Sequence, residues 1–210
     1  MSAAGGGQIT AYYRFHSVIY DATRWSFLFG RAGILLELAD LCPAPKRILE
    51  VGCGTGRNLR VLGDQYPRAT MTGIDLSGDM LRVARNKLAG YGQRVSLIQK
   101  PYAAGVAGPQ KFDLVLFSYS LSMFNPGWEE AIAAVAEDLT PDGVVAVVDF
   151  HASRLGWFRR WMGVNHVRME GHLLPRLRQK FSPRRERICS AYGGAWQYLM
   201  FVGGRPAAAA

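Results

Sequence analysis

The chain has 210 residues, 49% of them hydrophobic and 20% charged, with a formal net charge of +9 at pH 7, which fits an ordinary globular protein with one sizeable core. No run approaches the roughly 18 apolar residues of a membrane span, and the opening MSAAGGGQIT lacks the basic start and apolar stretch of a secretion signal, so one cytoplasmic domain is expected. Cys42, Cys53 and Cys189 are scattered without CxxC spacing or a histidine cluster, which speaks against a disulfide framework or a metal site and predicts buried thiols.

In chain order, the first notable stretch is YYRFHSVIYDATRWSFLFGR, Tyr12 to Arg31, where aromatic residues and three arginines surround His16 and Asp21. Apolar and basic character together suit a lid helix that touches a membrane. From residue 45 onward two periodicities alternate. RILEVGC (Arg47 to Cys53), TMTGIDL (Thr70 to Leu76), VSLIQ (Val95 to Gln99), FDLVLFSYS (Phe112 to Ser120) and VVAVVDF (Val144 to Phe150) read as strands buried on both faces. Helical patterns fall between them at Arg57 to Gln65, Gly78 to Ala89 and Trp128 to Leu139. Such alternation predicts an α/β fold, with a parallel sheet covered by helices on both faces.

After residue 151 the pattern changes. From His151 to Ser190 ten basic side chains stand against Glu170 and Glu186, so this stretch holds eight of the chain's nine net positive charges. Interleaved with Trp157, Phe158, Trp161, Met162, Leu173, Leu174 and Phe181, it suits an anionic surface, lipid headgroups or nucleic acid. RICSAY and AWQYLMFV then flank a Gly193-Gly194 turn and read as a terminal hairpin.

The turn VGCGTGRNL is the chemical centre of the sequence. Gly52, Gly54 and Gly56 lack the Cβ that would hold a ligand off the main chain, and they lie where a strand meets a helix N-terminus. The spacing is GxGxG and not the GxGxxG of dinucleotide binders, Glu50 precedes it, and Asp75 ends the next strand, where a carboxylate can accept both hydroxyls of a ribose. A nucleoside without a pyrophosphate is the ligand this combination predicts.

At ILEVGCGTG, GIDLSGDML, FDLVLFSYSLSMF and LTPDGVVAVVDF the sequence resembles the class I S-adenosylmethionine-dependent methyltransferases, over about residues 45 to 202. The resemblance implies a Rossmann-like, mostly parallel seven-stranded sheet with a C-terminal antiparallel hairpin and an N-terminal helical lid. It implies S-adenosylmethionine as cofactor, with Glu50, Gly52 and Gly54 at its methionine part, Asp75 on the ribose, Leu76 and Met80 flanking the adenine, and Gly56 and Ser118 among the other cofactor-binding residues. Many members end the third strand in Asp, whereas this chain reads LIQKPYAAG, so Gln99 or a main-chain carbonyl near Tyr102 serves instead.

FSYSLSMF is not the [DNS]PP[YF] motif of methyltransferases acting on base amino groups, and no nucleic-acid partner is expected. The lid stretch and NHVRMEGHLL, Asn165 to Leu174, resemble bacterial diacylglyceryl-homoserine N-methyltransferases of betaine-lipid synthesis. That resemblance implies trimethylation of a lipid head-group amine at an anionic membrane surface, by a peripheral protein at its inner face, with an upstream enzyme supplying diacylglyceryl-homoserine. It divides the single domain into a lid (1–44), a cofactor-binding core (45–150), a basic lipid-facing insert (151–186) and the hairpin (187–202). A phosphatidylethanolamine N-methyltransferase, an RNA or protein methyltransferase and a non-catalytic partner protein stay open as alternatives.

Transfer from a sulfonium mainly requires positioning of a neutral amine, and no metal is needed. A quaternary product favours aromatic faces, which selects Tyr13, Tyr20 and Tyr119, while His151 at the end of the fifth strand is the candidate base. Tyr12, Arg24, Asn165, His166 and Arg168 are the candidate acceptor contacts, Arg168 because guanidinium pairs with a carboxylate through two hydrogen bonds.

Overall fold

Helix α1 (Arg31–Leu41) leads into an alternating series: β1 (Arg47–Val51), α2 (Arg57–Gln65), β2 (Thr70–Asp75), α3 (Gly78–Leu88), β3 (Val95–Gln99), β4 (Phe112–Ser118), α4 (Trp128–Asp138) and β5 (Leu139–Ala152). Then come α5 (Gly156–Val164), α6 (Leu173–Lys180), β6 (Ser182–Ala191) and β7 (Trp196–Gly204). The computed structural model describes residues 28–164 and 167–206.

The strands form one seven-stranded sheet in the order β3-β2-β1-β4-β5-β7-β6. Strands β1 to β5 run parallel, and β7 runs antiparallel to both its neighbours, as the hairpin reading expected. The runs without alternation are the strands covered on both sides. Ile48, Leu114, Leu116, Val144 and Ala146 face one core with α1, α2, α3 and α5. Leu49, Val51, Val115, Phe117, Val145 and Val147 face the other with α4 and α6. Strand order reverses between β1 and β4, which opens a crevice above their C-terminal ends.

Residues 1–27, most of the expected lid, lie outside the described residues; the part that is described forms α1, whose Ile34, Leu35 and Leu38 are buried in the first core. Two expectations are corrected. β5 begins at Leu139, five residues before the expected Val144, because Phe112 of β4 pairs with Leu139 across a register shift. The basic stretch 151–186 is not one insert. Its helix α5 stands at the C-terminal end of β5, where Ala152 bridges Glu170, but α6 carries the chain back along the sheet. Strand β6 then starts at Ser182, opposite Gly204, which itself pairs with Val144 near the other end of β5. The hairpin therefore starts before Arg187, and the arginines of Ser182–Ala191 decorate a sheet edge.

Candidate active site

The crevice above β1, β2 and β4 holds a cavity of about 670 Å³, within the range of small-molecule sites. β1 ends in the glycine turn. The backbone amide of Gly52 donates to the Ile74 carbonyl at 2.8 Å, which draws the turn against β2. Gly52 and Gly54 both have positive φ, 73° and 52°, and both line the cavity. A Cβ on Gly52 would lie 2.4 Å from that of Ser120, so the first glycine lets the turn pass the β4 loop. A Cβ on Gly54 meets no atom within 4 Å, and this is where a ligand can come down on main chain. Gly56 serves packing instead. A Cβ there would sit 2.8 Å from Leu88 and 3.2 Å from Ala84, so it closes α2 onto α3 and does not line the cavity.

Asp75 ends β2 half-buried in the cavity wall. Its Oδ2 accepts from the Gly54 amide at 2.8 Å and its Oδ1 from the Ser77 amide at 2.9 Å. Two backbone donors thus fix the carboxylate plane, and each oxygen retains a lone pair for a further donor such as one hydroxyl of a diol. Leu76, 66% exposed, and Met80 give an apolar wall beside it. Ser77 caps α3 by accepting from Met80 N at 3.3 Å. Gln99 is not in this wall. Its amide donates to the Leu76 carbonyl at 3.2 Å, behind the loop, and Lys100, Pro101 and Tyr102 line the cavity in its place. Tyr102 is held by its hydroxyl, which donates to Asp138 at 3.1 Å.

Glu50, one position before Val51, points the other way and is buried beneath α2. Its Oε1 accepts from Asn58 Nδ2 at 2.7 Å, and Asn58 Oδ1 accepts from Arg31 at 3.1 Å. Burial pushes the Glu50 carboxyl up to about 7, with Asn58 and Arg31 opposing the shift. Arg31 lines the cavity, so Glu50 acts on it through Asn58. Sequence reasoning missed Arg31 and Asn58. A polar residue buried in the first turn of α2 directly after the glycines was the readable signal for Asn58; Arg31 comes from far along the chain.

Ser118 and Tyr119 close β4. Ser118 is buried, lines the cavity and has no hydrogen-bond partner for its hydroxyl among the described residues. Tyr119 adopts φ 57°, a strained value for a residue with a side chain, and its hydroxyl donates to the Phe29 carbonyl at 2.7 Å. The ring packs edge-on against Phe150 at 4.7 Å, and burial raises its phenol above the usual range. The cavity's described walls contain four basic side chains, Arg31, Arg57, Lys87 and Lys100, one carboxylate, Asp75, and no imidazole.

His151 is therefore not placed to take a proton there. It lies one strand beyond the crevice, on β5, with its ring against Gly171, and burial lowers its pKa. Arg168 is likewise turned away from the cavity, held by Glu170 at 2.7 Å. Tyr12, Tyr13, Tyr20, Arg24, Asn165 and His166 lie outside the described residues. Of the cysteines, Cys42 and Cys53 are buried and Cys189 is half-buried.

Comparison with known proteins bears on this site. Residues 48–143 match a family model described as a methyltransferase domain. A trans-aconitate 2-methyltransferase of Rhodopseudomonas palustris (strain BisA53) is 34% identical over 103 residues, 49% of this chain and 38% of that protein. A demethylmenaquinone methyltransferase of Thermus thermophilus is 30% identical over 115 residues, 55% of this chain and 52% of that one. The match thus spans about half or less of these relatives. Among solved structures, Burkholderia thailandensis 1,6-didemethyltoxoflavin-N1-methyltransferase, with bound S-adenosylhomocysteine, superposes with a TM-score of 0.69 at 20% identity, covering 98% of this chain and 92% of that one. The N-methyltransferase NodS of Bradyrhizobium japonicum WM9 gives a TM-score of 0.66 at 19% identity, over 82% and 84%. The sheet is Rossmann-like with an antiparallel seventh strand, and residues 48–143 within it match the methyltransferase-domain model.

Proposed function

We propose that the chain is an S-adenosylmethionine-dependent N-methyltransferase whose acceptor is the amine of a lipid head group, diacylglyceryl-homoserine being the one the sequence resemblance implies. The observation that supports it most is the Asp75 carboxylate, fixed by Gly54 and Ser77 and presented to a cavity beside a glycine with room above it. The Ser118 hydroxyl, buried at the same wall without a partner, fits a site built to hold a polar ligand.

When bound, S-adenosylmethionine supplies a methyl group already activated on a sulfonium sulfur. Asp75 would accept the two ribose hydroxyls, Leu76 and Met80 would flank the adenine, and Gly52 and Gly54 would admit the amino-acid part beside Arg31, which Asn58 and Glu50 hold in the cavity wall. The acceptor amine reacts as its neutral form, and in the first two transfers the proton released from the alkylated nitrogen would pass to water, since the described walls hold no imidazole. The basic lining favours an acceptor that carries an anionic group beside its amine, such as the homoserine carboxylate. The same lining also favours a soluble carboxylate, in line with the name of the Rhodopseudomonas relative.

The test is incubation with methyl-labelled cofactor and a total lipid extract, followed by partition and chromatography. Label in a lipid amine supports the reading; label confined to a water-soluble carboxylate or to nucleic acid replaces it. Asp75→Ala should weaken cofactor binding tenfold or more, since hydrogen bonds to a charged group contribute roughly 1.5 to 3 kcal/mol. Unchanged affinity by calorimetry in the folded variant would remove Asp75 from the site.

A further inference from the structure

Helix α5 carries apolar residues on two stripes, and only one of them is buried. Phe158 and Met162 enter the first core. Trp157, Trp161 and Val164, at spacings of four and three, form a second stripe that is 69%, 51% and 77% exposed. Phe158 braces both indoles, with ring centroids 5.7 and 5.8 Å away. Arg154, Arg159 and Arg160 are exposed on the same helix and its entry. The chain leaving α5 returns at once to the cavity: Val167 N donates to Met162 O at 3.1 Å, and Arg168 N to Ser122 O at 3.2 Å. Ser122 directly precedes Met123 and Phe124 in the cavity wall.

We propose that α5 is a membrane-docking face: Trp157, Trp161 and Val164 enter the headgroup region of an anionic bilayer, Arg154, Arg159 and Arg160 hold lipid phosphates, and the rim of the cavity is thereby set against the membrane. Indole rings favour this boundary, where one part is apolar and the N–H stays wet. Charge selects a bilayer over a second copy. In a two-fold pairing through this stripe the arginines of one copy would face those of the other, on a chain of net +9, whereas anionic lipid supplies the opposite sign. The orientation toward substrate rests on the lipid reading above; the docking itself does not.

The test uses the full chain and vesicles of phosphatidylglycerol and phosphatidylcholine, with phosphatidylcholine alone as the neutral case. Binding should be stronger to the anionic vesicles, and lipids brominated in the acyl chain should quench tryptophan fluorescence. Trp157→Ala with Trp161→Ala should weaken partition by tenfold or more at any salt concentration, on the order expected for two large apolar side chains, and abolish most of the quenching. Arg159→Ala with Arg160→Ala should weaken it roughly fivefold per arginine at low salt, and much less in high salt. Cofactor affinity and thermal midpoint should stay at the wild-type values in both. The proposal is overturned if the wild type ignores anionic vesicles, if the tryptophan variant partitions as the wild type does, or if that variant instead dissociates a dimer that never binds vesicles. Vesicle binding that follows this pattern with no labelled lipid product keeps the docking face and removes the lipid acceptor. Labelled lipid with partition indifferent to these variants does the reverse.

Discussion

Gly52 and Gly54 stand in one turn with similar backbone angles, yet a methyl group added to each meets different surroundings. At Gly52 it runs into Ser120 at 2.4 Å, in a conformation side chains rarely adopt. Gly52→Ala should therefore cost about 1 to 3 kcal/mol of folding stability, read by urea denaturation, through strain and overpacking. At Gly54 the methyl enters open space in the cavity. Gly54→Ala should cost only about 1 to 2 kcal/mol for the left-handed backbone, but weaken cofactor binding tenfold or more by calorimetry. The opposite pattern would mean that Gly54 is structural and that the ligand lies elsewhere. Glu50 gives a prediction of another kind. Its carboxyl titrates near 7 in the fold against an ordinary 4.5, so the folded chain holds that proton more tightly. This contribution favours folding below about pH 4.5 and is lost as pH rises through about 7. Gln at this position keeps the acceptor for Asn58 and cannot ionise. In the absence of ligand, Glu50→Gln should match the wild type near pH 4.5 and exceed it above pH 7, by about 3 kcal/mol at most. Parallel stability profiles across that range would show that the ionised carboxylate is not held at a cost.

At the scale of elements, the crevice depends on a turn that belongs to no regular helix or strand. Leu121–Met123 makes a single tight turn after β4, and its Ser122 amide donates to the buried Asp149 carboxylate of β5 at 3.0 Å. The other Asp149 oxygen accepts from Phe150 N at 2.8 Å. Asp149→Ala leaves two buried donors without partners, each costing about 1 to 3 kcal/mol, and frees the turn that brings Met123 and Phe124 to the cavity. The acceptor KM should rise severalfold while cofactor affinity stays, and Asp149→Asn, which keeps one acceptor, should recover part of the loss. Equal effects on both ligands would indicate general unfolding of the site. This latch was not legible in the sequence, because it joins residues 27 apart whose pairing depends on how β4 and β5 sit side by side. What was legible is what local chemistry determines. Arg57–Gln65 and Val95–Gln99 were read with both ends correct, the first bounded by the glycine turn. Gly52, Gly54, Asp75, Leu76 and Ser118 reach the cavity because they stand at strand ends or in the turns directly after β1 and β2, and Met80 because it lies in the first turn of α3 above them. β6 was cut short since its face is exposed along most of its length, which leaves no apolar alternation to read. His151 and Gln99 were assigned from position along their strands, and sideways distance across a sheet is invisible in a linear sequence.

At the scale of the whole molecule, the basic segment that reads as one block becomes two regions at opposite ends of the sheet. Arg154, Arg159 and Arg160 stand where β5 ends, on the side of the cavity. Lys180, Arg184 and Arg185 stand where β6 begins, and Arg184 is anchored there, donating to the carbonyls of Leu41 at 3.2 Å and Asp142 at 3.4 Å. Others in the block are spent on internal pairs, Arg178 with Glu186 and Arg187 with Glu37. Between Val144 and Ala152 a strand advances roughly 3.3 Å per residue, so the two regions lie more than two Debye lengths apart at about 0.1 M salt. Net charge alone then predicts equal effects from either region, and a docking face predicts unequal ones. Arg159→Glu with Arg160→Glu should depress turnover on anionic vesicles by tenfold or more, and Lys180→Glu with Arg185→Glu, the same change in net charge, should leave it within about twofold. Both variants should act like the wild type on a short-chain acceptor dispersed in detergent, where no bilayer has to be approached. Equal losses on vesicles from the two pairs would mean that total charge draws the protein to the membrane and that the end bearing the cavity has no privileged role. Losses from the first pair on the detergent-dispersed acceptor as well would place those arginines in the path of the head group itself.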